Sequence, residues 1–150
     1  MRTFRFRAFD KKEKVMIYGI ENIYDGGYFV NSNNQEISIY STSLSSSSFG
    51  NNLNNEDIEI MQFTGLFDRN GTPIYEGDLL ADTGSDGNGG EIVYTLKEVV
   101  FHEGAFQMKE LLDKEWGLEY MDDISHLEVL GNIYENPNLL ERLINEKFYL

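Results

Sequence analysis

The chain has 150 residues, 41% of them hydrophobic, with nine Tyr, ten Phe, two Pro and no Cys. This length fits one domain or two small sub-modules sharing a core; the composition excludes a disordered chain, and the lack of Cys excludes disulfides and thiolate metal sites. Twelve Lys plus Arg against 26 Asp plus Glu give a net charge of -14, a field that repels phosphate backbones and disfavours direct nucleic-acid binding.

Phe4, Phe6 and Ala8 alternate with Arg5 and Arg7, the period-2 pattern of a strand with one buried and one wet face. A first strand is predicted over residues 3–9, with Phe4 and Phe6 inward and Arg5 and Arg7 outward. Residues 10–14 form a charged turn, residues 15–18 a second strand, and Asp25-Gly26-Gly27 a turn before a strand at residues 28–30. Residues 31–55 are dominated by Ser and Asn, which favours a loop or variable insert, with residues 37–40 as a candidate strand.

Ile58, Ile60 and Gln62 alternate with Met61 and Phe63 in the next strand, which ends in an Asp68-Arg69-Asn70-Gly71 turn. Asn and Gly tolerate the positive φ of tight hairpins. Residues 72–75 return, Glu76-Gly77-Asp78 bends the chain, and a strand starts at residues 79–81. A Gly-Asp step before an apolar strand resembles the opening of small SH3-like barrels, where Gly permits the bend and Asp holds a backbone N–H.

Residues 82–90, DTGSDGNGG, read as a loop, followed by strands at 92–96, 99–102 and 105–108 with turns at Lys97-Glu98 and Glu103-Gly104. Residues 111–120 admit one helical turn around Trp116, stopped by Gly117, and residues 127–134 return to strand. Asn136 is placed to cap a helix over 137–147 with Pro137 at its first position, and Leu139, Leu140, Leu143 and Ile144 form the stripe it buries.

The chemistry-bearing residues carry weak signals. The loop from Asp82 to Glu91 fails calcium-loop spacing, because Gly84 stands at position 3 and Val93 where a bidentate Glu is needed. His102 and His126 make a metal site conceivable only if their strands are neighbours, and no H-E-x-x-H spacing supports it. No nucleophile elbow, Walker loop or dinucleotide fingerprint is present, so the expectation is a non-enzymatic protein with no cofactor, no metal and no catalytic residue. A sugar or nucleotide enzyme built on paired carboxylates remains a distant alternative.

Nothing reaches the roughly 18 apolar residues of a membrane span, and the basic opening stretch lacks the apolar core of a targeting signal. A soluble cytoplasmic protein without membrane contact is expected. Charge is uneven: the first fourteen residues carry +4 and the remainder -18, a pattern that favours contacts between unlike surfaces of two molecules.

Three blocks, FRFRAFDKKEKVMIYG from Phe4, MQFTGLFDRNGTPIYEGD from Met61, and LEVLGNIYENPNLL from Leu127, resemble the YopX family of phage and prophage proteins. Phe9 stands where the family's F-R-A-W-D pattern has Trp, and Phe63 where Tyr is common; both replacements keep an aromatic. The resemblance implies a mainly β protein (β-rich α+β) with small SH3-like barrel parts, sub-modules near residues 1–60 and 61–135, and a short C-terminal helix. It imports no catalytic residue.

The candidate interaction residues are Arg5, Arg7, Thr64, Asp68, Asn70, Tyr75, Glu76 and Asp78, with Gly65, Gly71 and Gly77 among them; turn geometry and barrel closure are the competing explanation. The expected function is that of a phage accessory protein, in the cytoplasm of a bacterial host, that self-associates as a homo-oligomer and binds a host or phage protein. The alternative is a nucleic-acid-related module or an acidic DNA mimic that occupies a DNA-binding enzyme.

Overall fold

The computed structural model describes residues 3–20, 57–113, 115 and 117–146, and the backbone of residues 28–30 and 36–38. The expected turn at 25–27, Trp116 and most of the Ser/Asn-rich stretch lie outside the described residues. The described chain is mainly β with one short helix, and it divides into two units, residues 1–63 and 64–150.

In the first unit, β1 (Phe6–Asp10) pairs antiparallel with β2 (Val15–Tyr18), and β3 (Tyr28–Val30) pairs with β4 (Glu36–Ser38). The turn between β1 and β2 is closed by Asp10, whose Oδ1 accepts the backbone N–H of Lys12 and Glu13 at 2.9 and 3.0 Å. Lys14 ends it with a φ of 60°. The first half of β5 (Ile58–Phe67) lies on the other side of β1, so β1 is a central strand. Its Ala8 packs with Ile17 and Ile20, and partly buried Phe6, Val15 and Ile58 surround that cluster.

The expected wet face of β1 is corrected here. Arg7, only 3% exposed, is buried along with Ala8, Phe9 and Asp10, while Phe4 is 57% exposed. Alternation marks a wet face only where one face of a sheet is uncovered, and both faces of β1 are covered. Arg5 precedes the strand, is exposed, and its guanidinium lies 5.4 Å from the ring centroid of Phe63, a cation–π contact.

In the second unit, the end of β5 leads through a turn to β6 (Pro73–Tyr75), then to β7 (Asp78–Ser85), β8 (Glu91–His102), β9 (Ala105–Glu110), β10 (Leu118–Tyr120) and β11 (Glu128–Asn132). The last five form an antiparallel sheet in the order β10-β9-β8-β7-β11. Two expectations change. The stretch 82–90 is mostly a hairpin, with β7 running to Ser85, and β8 continues through Lys97-Glu98, because Lys and Glu carry no turn chemistry of their own. Beyond Gly117, residues 118–120 form β10.

This sheet has a core on each face. Leu80, Val99 and Met108 pack with Ile74, Ile124 and Leu127, while Leu79, Ala81, Val93 and Leu96 pack with Leu139 and Leu143. Val93 and Leu96 are an odd number of residues apart, yet share a face. The register shift that pairs Asp82 with Thr95 and Thr83 with Val93 leaves Tyr94 as a bulge and resets the alternation. A second shift skips Leu130 in β11 and divides Val129 and Leu130 between the two cores.

Leu139 and Leu143 belong to α1 (Leu139–Asn145), seven residues long. It is shorter than expected: Asn138 occupies the N-cap with no side-chain cap bond, and Asn136 turns its Oδ1 back to the N–H of Asn132 at 3.1 Å. Leu139 and Leu143, four apart, point into the core and Leu140 is half-buried. Ile144, placed in the buried stripe by the sequence, is 52% exposed. No helix among the described residues is long and apolar enough to cross a membrane.

Candidate functional site

The turn after β5 is organised by one carboxylate. Asp68 Oδ1 accepts the N–H of Asn70 and of Thr72, each at 2.8 Å, and Oδ2 accepts the N–H of Val129 at 2.9 Å. Gly71 supplies a φ of 82°, and its N–H donates to the Asp68 carbonyl at 3.0 Å. Burial pushes the Asp68 carboxyl upward, but the bonds from Val129, Thr72 and Asn70 outweigh it and hold the pKa below the ordinary carboxylate value. Asp68 is thus a buried anion that fastens its own turn to β11.

Around it lies a polar network. Arg69 donates through Nη2 to Thr83 Oγ1 at 2.9 Å and sits 2.9 Å from Glu128 Oε1. Thr83 donates to the same Glu128 oxygen at 3.0 Å, and Asn70 Nδ2 to the other at 3.2 Å. Thr64 behaves similarly on β5, donating to the Ile74 carbonyl at 2.8 Å and accepting the N–H of Leu66 at 3.1 Å.

The Tyr75-Glu76-Gly77-Asp78 bend closes by the same logic. Asp78, buried, accepts the N–H of Tyr75 at 2.8 Å through Oδ2, and Gly77 adopts a φ of 82°. Gly77 donates to Val99 and accepts from Ile133, so the bend is tied to the strand and loop beside it. Tyr75 is buried and Glu76 half-buried. Asn132 completes the third block: its Oδ1 accepts the N–H of Tyr134 and Glu135, and its Nδ2 donates to Glu135. A Cβ at Gly131 would stand 2.2 Å from Asn136 Oδ1, so only glycine leaves room for that side chain.

Thr64, Asp68, Asn70, Tyr75 and Asp78 therefore spend these polar groups on the protein itself, and Arg7 is buried in the first unit. His102 and His126 are exposed, and β7 separates the strand that ends in His102 from the one that follows His126. Among the described residues no three His, Asp or Glu side chains gather as metal ligands. In the loop weighed for calcium, Asp86 Oδ1 accepts the N–H of Asn88 and Gly90 at 2.7 and 2.9 Å, which closes the hairpin.

A different surface stands open. A groove of about 760 Å³ runs between β8, β9, the start of β10 and α1, lined by Val100, Phe101, Lys109, Leu111, Leu118 and Leu140, with His102, Glu110 and Gly117 beside them. Phe101, Leu118 and Tyr120 are exposed, and Phe101 meets Phe106 edge to face at 5.1 Å. β10 is the end strand of the sheet, every residue of it is exposed, and Glu119 forms an ion pair with Lys97. Apart from His102, weighed only as a metal ligand, none of these residues was among the sequence candidates. The available signal was the unbroken apolar run Val99-Val100-Phe101, which fills both faces of a strand when the alternation would leave one of them polar.

Fold and turns together define a mainly β protein of antiparallel sheets whose reversals are locked by Asp, Asn and Gly. The family model described as YopX protein matches residues 5–141, and the chain belongs to that family. Among solved structures it is similar to protein EF1440 from Enterococcus faecalis, at 26% identity and a TM-score of 0.57, over 93% of this chain and 99% of that one. It is also similar to protein yopX from Bacillus subtilis, at 23% identity and a TM-score of 0.47, over 93% and 98% of the two chains. No curated protein matches.

Proposed function

We propose that this protein is a non-enzymatic interaction module that self-associates and binds a protein of the phage or its bacterial host, in the host cytoplasm. The open groove and end strand of the second unit support this reading, since apolar side chains left exposed beside one another mark contact surfaces. The Asp68 carboxylate supports it too. A general acid needs a raised pKa, whereas Asp68 is held low by backbone donors. Light scattering across a concentration series at low salt tests self-association: a rising mass is expected, and a constant monomer mass at high concentration would count against it. Affinity capture from infected cells, with and without nuclease, tests the partner; protein retained after nuclease treatment is the expected result.

One observation favours a second reading. Residues 64–150 carry 18 acids and six bases, a net -12, whereas residues 1–63 carry eight acids and six bases, a net -2. A concentrated negative surface of this kind suits a DNA mimic. Capture of a DNA-processing enzyme, together with competition by duplex DNA for the same binding, would favour mimicry over the first reading.

A further inference from the structure

We infer that Asn88, at the tip of the hairpin between β7 and β8, is a site of spontaneous deamidation, converted through a cyclic imide to a mixture of isoaspartate and aspartate. The chain holds two Asn-Gly steps, Asn70-Gly71 and Asn88-Gly89. Such a step is reactive because glycine has no side chain to shield its amide nitrogen as that nitrogen attacks the side-chain carbonyl carbon of the preceding Asn. Both asparagines are exposed, so sequence and exposure alone give them equal standing. Their hydrogen bonds separate them. Ring closure requires the glycine N–H to give up its proton and the Asn side chain to swing onto the nitrogen. At Asn70 both movements are opposed: the Gly71 N–H donates to the Asp68 carbonyl at 3.0 Å, and the Asn70 side chain donates through Nδ2 to Glu128 at 3.2 Å. At Asn88 neither is. Among the described residues no hydrogen bond engages the Gly89 N–H or the Asn88 side chain, and only the Asn88 backbone N–H is tied, to Asp86 Oδ1 at 2.7 Å. Nothing stands within 4 Å of a would-be Cβ at Gly89, so the ring forms without crowding. The adjoining Asp86-Gly87 step, capable of the same closure, is held as well, since Gly87 donates to Ser85 Oγ at 3.0 Å and Asp86 Oδ1 accepts from Asn88 and Gly90.

The step balances with water as the only co-reactant. The bond that forms joins the Gly89 nitrogen to Asn88 Cγ, and the bond that breaks releases the side-chain nitrogen as ammonia, which carries away the glycine proton. Water then opens the imide. Cleavage between the Gly89 nitrogen and Cγ gives aspartate, and cleavage between that nitrogen and the backbone carbonyl carbon gives isoaspartate, in which the chain runs through the former side chain. Either product adds a negative charge to a chain already at -14. Isoaspartate also lengthens the backbone between the N–H groups of residues 88 and 90 that Asp86 Oδ1 gathers, so it loosens the hairpin tip and leaves the paired strands below it in place.

The test is ageing of the full chain at mildly alkaline pH in heavy-oxygen water, once folded and once in denaturing urea, followed by peptide mapping in a mass spectrometer. Isoaspartate is scored separately with the methyltransferase that labels it, and circular dichroism confirms the fold of the native sample. In the folded protein Asn88 is expected to convert first, taking up heavy oxygen and giving isoaspartate among its products. Asn70 is expected to convert about tenfold or more slowly, since its protecting hydrogen bonds must open before it reacts. In urea the two should convert at similar rates. Asn70 converting as fast as Asn88 in the folded protein, Asn88 staying intact there while the unfolded chain reacts, or Asn70 staying slow in urea would each overturn the inference. Aspartate without isoaspartate at position 88 would overturn the imide route.

Discussion

Asp68 illustrates how a buried charge becomes a structural fastener. Its three backbone donors come from both sides of its own turn and from β11, so removing the carboxylate leaves three N–H groups to find water or remain unpaired. Asp68→Ala is expected to cost about 2 to 4 kcal/mol in urea unfolding, with Asp68→Asn costing less because one oxygen still accepts. Because folding depresses its pKa below an unfolded value of about 3.9, its contribution is complete above that pH and is lost as pH falls through the lower, folded pKa. Asp68→Asn should therefore flatten the acid limb of the stability curve and leave its slope near neutrality unchanged.

Two glycines separate strain from crowding. Gly71 has open space around a would-be Cβ but a φ of 82°, so Gly71→Ala should cost about 1 to 2 kcal/mol from the backbone alone. Gly84 has an ordinary backbone, but a Cβ there would lie 2.7 Å from the Tyr94 ring. Tyr94 is exposed and its ring tip can swing aside, so Gly84→Ala should cost less than about 1 kcal/mol despite the closer contact, as a surface change with a yielding neighbour does. Equal losses for the two variants would contradict this division.

Among the elements, α1 depends on what it buries. Seven residues without a side-chain cap do not hold a helix in water, so its stability comes from Leu139 and Leu143 against the sheet. Leu143→Ala is expected to cost about 2 to 5 kcal/mol, whereas Ile144→Ser should stay within about 0.5 kcal/mol, measured by denaturant unfolding. Periodicity had placed both in the stripe. The 100° rotation between them is enough to move Ile144 to the surface, and a seven-residue helix has too few turns to average that out.

The same scale shows what the amino-acid order reveals. Strands, the Asp68-to-Gly71 turn and the Gly77-Asp78 bend were legible because each rests on chemistry within a few residues. Arg7 was misplaced because burial of a central strand on both faces depends on its distant neighbours, and the bulge at Tyr94 escaped for a related reason, since a register shift is a property of two strands. The groove was the least visible feature. Its walls come from Val100, Lys109, Leu118 and Leu140, which no local pattern brings together.

At the scale of the whole molecule, two kinds of residue divide the work. Those that make the second unit's sequence distinctive hold turns shut, and those that stand open on β8 and β10 are unremarkable in sequence. The concentration dependence of amide chemical shifts tests this division most directly, in the full chain at low salt. As the protein is concentrated, signals from residues 100–102, 109–111 and 118–120 are predicted to move together, while those of Asp68, Asn70, Gly71, Gly77 and Asp78 stay fixed. Shifts confined to the turn residues, or no shifts up to millimolar protein, would contradict the account.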